Sequence, residues 1–176
     1  MQTIQPIQTE HAAGLTKRLL ETVKVEGGPI NNMIKTMAQS PNALEGYLQF
    51  RRALIVGHLN PKMRERIALT VAQANRCEYS LAQHMVLARQ HGLTEDEIQE
   101  SREARAGEEQ IDVVLKFAHN LATRSGEYSP EEMRYAGYSD AEIIETVAFV
   151  ALNLFVNYFN LAAKTEIDFP LKAKAA

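Results

Sequence analysis

The fold is decided by residues 61–100, which read PKMRERIALTVAQANRCEYSLAQHMVLARQHGLTEDEIQE. Apolar residues recur at helical spacing along this stretch, and Asn60-Pro61 places a capping side chain before a proline at the first helical position. Asn75-Arg76 then interrupts the pattern, and Gly92 stands where a helix C-terminus needs a left-handed residue. We therefore predict two successive helices here, one on each side of Asn75-Arg76.

Helix signals of the same kind occupy the rest of the chain. Ser40-Pro41 repeats the device of a capping residue followed by proline. Three further starts show the capping-box spacing, a hydroxyl followed three residues later by glutamate: Thr94–Glu97, Ser129–Glu132 and Ser139–Glu142. No alternation of period two, bounded by hairpin turns, competes with these signals. The sequence predicts an all-α fold of about eight helices in a single domain spanning residues 1–176.

Composition narrows the classes of partner and compartment. The chain has 176 residues, 45% of them hydrophobic, and a formal net charge of −3, which gives no electrostatic reason to expect nucleic acid or an anionic membrane. Its one cysteine, Cys77, excludes a secreted domain stapled by intramolecular disulfides and favours a reducing compartment. The first residues show no basic region followed by an apolar run, so we expect a cytoplasmic protein.

One stretch is long and apolar enough to require a test for a membrane span. Residues 146–163 contain no charged side chain. Asn153, Asn157 and Asn160 nevertheless fall at i, i+4 and i+7 on one face of the predicted helix. We therefore predict a buried helix, with these asparagines bonding across a helix interface, and no membrane span.

The residues that could carry chemistry lie around the predicted helix break. If Cys77 opens the second helix, the free N–H groups and the dipole there stabilise a thiolate, and Arg76 acts in the same direction. Ser80 and His84 follow Cys77 at i+3 and i+7 and share its face, so His84 is expected to meet Ser80. Histidine exchanges protons near neutral pH, and Glu65 on the preceding helix could pack against this face.

Each of these residues also has an ordinary structural interpretation. A lone cysteine is more often a buried, unreactive apolar side chain than a nucleophile. One cysteine with a histidine seven residues later supplies too few ligands for zinc, so neither a metal nor another cofactor is expected. The remaining histidines have no comparable partners in the sequence and receive no predicted role: His11, His58, His91 and His119.

The spacing of these residues resembles a known family. Glu65 precedes Cys77 by twelve residues, and Cys77 begins the pattern Cys-x-x-Ser-x-x-x-His, which ends at His84. The segment His91-Gly92-Leu93-Thr94 also fits the sequence that follows this pattern in that family. This pattern resembles the carboxymuconolactone decarboxylase / alkylhydroperoxidase D-like superfamily, most closely over residues 40–100. The resemblance implies a compact helical array that assembles as a trimer or hexamer. It also implies a redox-active cysteine pair that reacts with peroxides or disulfides, and a glutamate–histidine proton relay.

The chain departs from that pattern at Ser80, which occupies the position of the second cysteine. A serine cannot close an intramolecular disulfide, so a complete dithiol cycle is impossible. The leading prediction is a peroxidase-like, antioxidant oxidoreductase in which the Cys77 thiolate reduces an alkyl hydroperoxide and becomes a sulfenic acid. An external thiol would then reduce Cys77. The predicted catalytic set is Glu65, Cys77, Ser80 and His84.

Two other functions remain open at this point. One is an acid–base enzyme of the carboxymuconolactone decarboxylase type, in which Glu65 and His84 act on a lactone or keto acid. The other is a noncatalytic oligomeric or ligand-binding relative that has lost its redox chemistry. In all three cases we expect a homo-oligomer, with the uncharged C-terminal helix as an interface.

Overall fold

The computed structural model describes residues 2–123 and 129–171, which form nine α-helices and no β-strand. A short 3₁₀ turn at Thr9–His11 precedes the first of them. The predicted all-α class is confirmed. The helices are α1 Gly14–Val25, α2 Asn32–Met37, α3 Pro41–Ile55, α4 Pro61–Ala74, α5 Glu78–Gln90, α6 Glu95–Arg102, α7 Glu109–Thr123, α8 Glu131–Tyr135 and α9 Asp140–Ala163.

Side-chain caps fix most of the helix starts that the sequence predicted. The side chains of Ser40 and Asn60 accept hydrogen bonds from the backbone three residues later, directly before α3 and α4. Thr94 and Ser139 form complete capping boxes at the starts of α6 and α9. These caps satisfy backbone N–H groups that have no partner inside the helix, so they define where each helix begins.

The third predicted capping box is wrong. α8 begins at Glu131, its N-cap residue is Pro130, and the cap makes no side-chain hydrogen bond. Ser129 is therefore one residue too early to act as the N-cap. Proline takes the cap position here, whereas at Ser40-Pro41 and Asn60-Pro61 it takes the first helical position.

Helix α4 lies at the centre of the bundle and packs against α5, α6, α7 and α9. Ile67, Ala68, Leu69 and Val71 have no exposed surface, although they point in several directions around the helix. A helix that is apolar on all sides is stable only when other helices cover it. The site residue on α4, Glu65, is consequently held inside the bundle and is itself buried.

Helix α9 is the second core helix and the long apolar segment that the sequence singled out. Among the described residues it is the one helix that is long and apolar enough to cross a membrane, and half of its apolar window is buried in the protein. It packs against α3, α4, α5 and α7. The prediction of a helix buried against other helices is thus confirmed for its inner face, which carries Asn153, Asn157 and Asn160.

Candidate active site

The turn between α4 and α5 places Cys77 at the predicted helix start. α4 ends at Ala74, and Arg76 adopts a left-handed conformation with φ of 54°. Cys77 is the N-cap residue of α5, and its backbone N–H donates to the carbonyl of Ala72 at 3.0 Å. This tight turn reverses the chain, so α5 returns antiparallel along α4.

Antiparallel packing brings Glu65 of α4 against His84 of α5. Nδ1 of His84 lies 2.8 Å from Oε2 of Glu65, a hydrogen-bonding distance. The side chains are only 11% exposed for Glu65 and 16% for His84, so the pair is shielded from bulk water while it keeps some access. The predicted packing of Glu65 against His84 is present in the structure.

Ser80 is paired differently from the expectation. The Cys77 thiol donates to Ser80 Oγ at 3.2 Å, and Asn160 Nδ2 on α9 donates to the same oxygen at 3.3 Å. Ser80 is fully buried and Cys77 is 2% exposed. The four predicted residues therefore form two pairs, Cys77–Ser80 and Glu65–His84. The predicted meeting of His84 with Ser80 is wrong, because His84 turns toward Glu65.

The surroundings of Cys77 are apolar on one side and charged on the other. Inside the protein Cys77 belongs to an apolar cluster that α1, α2 and α3 share with α5 and α9, with Leu44 and Val156 among its members. Toward the surface, Cys77 lines an open depression of about 280 Å³ together with Arg76, Lys164 and Glu78. A small oxidant would have to reach the sulfur from this depression.

The Glu65–His84 pair faces a different space, which we call the inner cavity. Its volume is about 270 Å³. It lies between α3, α4, α5 and α9, and neither Cys77 nor Ser80 lines it. The residues that line it include Glu65, His84, His91, Arg64, Phe149 and Asn153.

A larger space, which we call the outer chamber, adjoins the inner cavity. Its volume is about 560 Å³, and its lining is mostly apolar, with Val23, Ile34, Leu48, Val86, Phe169 and Pro170. The two spaces share five lining residues, which form the junction between them: Met33, Tyr47, Arg51, Gln83 and Leu87. The α1–α2 loop and the C-terminal segment, far apart in sequence, thus complete a chamber that adjoins the cavity lined by His84.

Positive charge collects near this junction. Arg64 Nη1 donates to the carbonyls of Ile55 and Leu59, at 2.7 and 3.0 Å, which fixes its guanidinium at the cavity wall. Burial lowers the pKa of Arg64; the carboxylate of Glu65 opposes that shift and the nearby charge of Arg51 adds to it. Burial raises the pKa of Tyr47, which Arg51 partly offsets. Two guanidinium groups therefore lie near the junction: that of Arg51, which belongs to it and is exposed, and that of Arg64, which lines the inner cavity.

His91 is a site residue that the sequence analysis missed. Its Nε2 lies 3.8 Å from Oε1 of Glu65, and it lines the inner cavity beside His84. The signal was available, because His91 follows His84 by seven residues and shares its helical face. His58 was also given no partner, yet its Nδ1 lies 2.7 Å from Oε1 of Glu145, on the surface.

The three asparagines of α9 have three different roles. Asn160 bonds across to Ser80 on α5, as predicted. Asn153 instead donates to the carbonyl of Phe149 in its own helix, at 2.8 Å, and borders the inner cavity. Asn157 is fully buried, and neither atom of its amide has a hydrogen-bond partner among the described residues. The predicted bonding across a helix interface holds for one asparagine of the three.

No group of three or more His, Cys, Asp or Glu side chains in residues 2–123 and 129–171 is arranged to hold a metal ion. Glu65 contacts both His84 and His91. The distance of 3.8 Å between His91 Nε2 and Glu65 Oε1 is that of a contact between two side chains.

Comparisons with known proteins agree with this architecture. Residues 41–119 match the model of the carboxymuconolactone decarboxylase family, and this segment contains all four predicted site residues. The predicted resemblance to the carboxymuconolactone decarboxylase / alkylhydroperoxidase D-like superfamily is thereby confirmed. No curated protein matches the chain.

Solved structures share the whole fold at low sequence identity. The apo debrominase Bmp8 is 20% identical with a TM-score of 0.77, and the match covers 94% of this chain and 92% of that one. An alkylhydroperoxidase AhpD core protein from Ralstonia eutropha JMP134, described as peroxidase-related, is 19% identical with a TM-score of 0.79, covering 97% and 96%. A peroxidase-related protein from Silicibacter sp. TM1040 is 20% identical with a TM-score of 0.77, covering 94% and 93%. At this identity the likeness shows the fold alone.

Proposed function

Since this chain carries a carboxymuconolactone decarboxylase family segment in an alkylhydroperoxidase D-like fold, we propose that it is an acid–base enzyme. In this proposal Glu65 and His84 transfer protons to and from an organic substrate in the inner cavity. One observation carries the proposal: the hydrogen-bonded Glu65–His84 pair lines a recessed space, and Cys77 does not line it.

The hydrogen bond between the two residues assigns their roles. An ionised carboxylate only accepts, so His84 must donate its Nδ1 proton to Glu65. The other ring nitrogen, Nε2, then carries a lone pair and serves as the general base. When Nε2 takes a proton, the Glu65 carboxylate stabilises the imidazolium, and the same proton is returned in the next step. His91, beside Glu65, adds a second ring that can carry a proton.

The substrate class follows from the family segment and from the cavity. We propose a lactone or a keto acid, because removal of a proton next to a carbonyl requires a base of this kind, and protonation of the carbon after loss of carbon dioxide requires its conjugate acid. The shielding of Glu65 and His84 supports the proposal, since electrostatic stabilisation of an oxyanion is stronger in a poorly hydrated site.

The test uses a panel of lactones and β-keto acids in D₂O, followed by NMR for deuterium incorporation and by carbon dioxide release. We expect Glu65→Gln and His84→Gln to lose about 10²–10⁴-fold in turnover, the range for general acid–base catalysis. His58→Gln is the matched control, because His58 is also hydrogen-bonded to a glutamate but lies on the surface. Cys77→Ala should retain turnover. Equal turnover in His84→Gln and the unchanged protein would refute the acid–base role.

A second function, a one-cysteine peroxidase, is favoured by the position of Cys77. The residue caps the N-terminus of α5, Ser80 lies within hydrogen-bonding distance, and Arg76 and Lys164 flank the depression that it lines. The thiolate sulfur would attack one oxygen of a hydroperoxide. An S–O bond forms, the O–O bond breaks, and the alkoxide leaves as an alcohol after protonation. Two equivalents of an external thiol then reduce the sulfenic acid, giving water and a disulfide of the reductant.

This second function is tested with hydrogen peroxide and cumene hydroperoxide, with dithiothreitol as reductant and dimedone to trap a sulfenic acid. The peroxidase proposal expects a trapped adduct and peroxide consumption that Cys77→Ser abolishes. Turnover that survives in Cys77→Ser would contradict it. If neither assay detects activity, the noncatalytic relative with lapsed redox chemistry is the function that remains.

We also propose a homo-oligomer, as a trimer or hexamer, located in the cytoplasm. The support for the oligomer is the outer face of α9, where large apolar side chains stay exposed in the single chain: Ile144, Val147, Phe155, Tyr158 and Leu161. An exposed apolar stripe of this length typically marks an interface. The support for the compartment is the single cysteine, which is reduced.

A further inference from the structure

We propose that the junction between the two cavities binds the oxyanion head of an amphipathic organic ligand, such as a medium-chain carboxylate, whose apolar body fills the outer chamber. This inference rests on the proposed function, because it names the class of substrate that Glu65 and His84 would act on. It begins from the five junction residues, three of which are polar: Tyr47, Arg51 and Gln83.

The three polar junction residues have hydrogen-bonding groups to spare. No hydrogen bond or ion pair to a described residue is present for the hydroxyl of Tyr47, the amide of Gln83 or the guanidinium of Arg51, which is exposed. A phenol, a guanidinium and an amide that converge on one space all offer N–H or O–H donors. Convergent donors that include a guanidinium fit a planar oxyanion, which accepts several hydrogen bonds at once.

The charges around the junction leave a positive excess. Of the acidic groups that line the two spaces, Glu26 is bonded to Arg52 at 2.8 Å, and the carboxylate of Glu65, hydrogen-bonded to a neutral His84, offsets one of the two positive charges of Arg51 and Arg64. Arg64, held by backbone carbonyls, adds its charge beside Arg51. Two guanidinium groups close together repel one another, and an anion bound between them removes that repulsion.

The outer chamber specifies the rest of the ligand. Its wall is built from aliphatic and aromatic side chains, including Val23, Ile34 and Leu48, so burial of an apolar chain or ring there is favourable. Phe169 closes one side and is held by an edge-to-face contact with Tyr79, their ring centroids 5.3 Å apart. With the head at the junction, the atoms next to it face the inner cavity and His84.

The experiment compares octanoate with octanamide, two probes of the same shape that differ in charge, by isothermal titration calorimetry. We expect the full-length protein to bind octanoate at least about tenfold more tightly. Arg51→Gln should abolish this preference and leave octanamide affinity unchanged, whereas Arg51→Lys should keep part of it. Lys17→Gln, an exposed cation outside both spaces, is the control with the same change in net charge.

Three results would overturn the proposal: equal affinity for the two probes, a parallel loss of both affinities in Arg51→Gln, or no binding of either probe at millimolar concentration. The outcome is separable from that of the proposed function. His84→Gln leaves the charge balance of the cavity unchanged, so this variant should keep the preference for octanoate even where it loses turnover. A retained preference for octanoate in a protein without acid–base activity would sustain the binding site and refute the catalytic role.

Discussion

Replacement of Asn157 by leucine is expected to stabilise the protein. Asn157 has no exposed surface, and both its amide atoms lack partners among the described residues. An unsatisfied buried polar group costs about 1–3 kcal/mol, because the hydrogen bonds it made to water in the unfolded chain are not replaced. Leucine has the same branching at Cγ and gains from burial of apolar surface, about 1.5–3 kcal/mol for a full side chain.

Part of this gain is offset, because a well-packed core resists even small changes of shape. We therefore expect Asn157→Leu to raise the free energy of unfolding by about 1–3 kcal/mol. For a chain of this length, each kcal/mol raises Tm by about 2–4 °C. The measurement is thermal unfolding followed by circular dichroism, with urea unfolding as an independent estimate of the free energy.

Asn153→Leu is the matched control on the same helix. Asn153 donates to the carbonyl of Phe149, so its replacement removes one hydrogen bond, worth about 0.5–1.5 kcal/mol. Asn153 is also buried, so the same gain from apolar burial applies to it and this loss reduces that gain; Asn153→Leu should therefore raise Tm less than Asn157→Leu. If Asn157→Leu unfolded at a lower temperature than the unchanged protein, the amide would have a partner in the folded state, and the assumed cost of an unsatisfied amide would be wrong.

Three further predictions concern pH, a helix cap and assembly. Glu145 raises the pKa of His58 through their hydrogen bond, and His58 lowers that of Glu145, so the pair stabilises the fold most between their ordinary values of 4.5 and 6.5. This contribution is lost above that window as His58 deprotonates and below it as Glu145 protonates. The difference in stability between His58→Gln and the unchanged protein should therefore be largest between pH 4.5 and 6.5, and a difference that does not vary with pH would contradict this prediction. Glu97→Ala removes the glutamate half of the α6 capping box and the ion-pair partner of buried Arg66, so urea unfolding should show a loss of about 1–3 kcal/mol; no loss would mean that neither contact stabilises the fold. Phe155→Glu on the outer face of α9 should lower the mass measured by light scattering to that of a single chain, and an unchanged mass would place the interface elsewhere.

Local signals in the sequence were sufficient for the helices. Proline after Ser40 and Asn60, and capping boxes at Thr94 and Ser139, act within one turn, so the sequence alone located those starts. The error at Ser129 shows the limit of the rule, because the same spacing occurs there without the cap geometry. A spacing of three residues shows which capping hydrogen bonds are possible, and the backbone conformation determines which of them form.

The site required more than local signals. Glu65 and His84 were predicted to meet because a short break permits an antiparallel pair, and this pairing is present. Sequence spacing could not decide that His84 turns toward Glu65 while Ser80 bonds to Cys77. The rotamer of a side chain depends on the groups that the opposing helices place beside it. Asn160 of α9 places an N–H donor beside Ser80.

What the sequence determined by itself is the all-helical fold, the break before Cys77 and the family resemblance, since each depends on residues close together in the chain. Tertiary structure decided which residues share a cavity. The inner cavity joins α3, α4, α5 and α9, and the outer chamber is completed by the α1–α2 loop and Phe169. Residues this distant in sequence meet only after the helices pack, because packing is governed by complementary surfaces that no short spacing records.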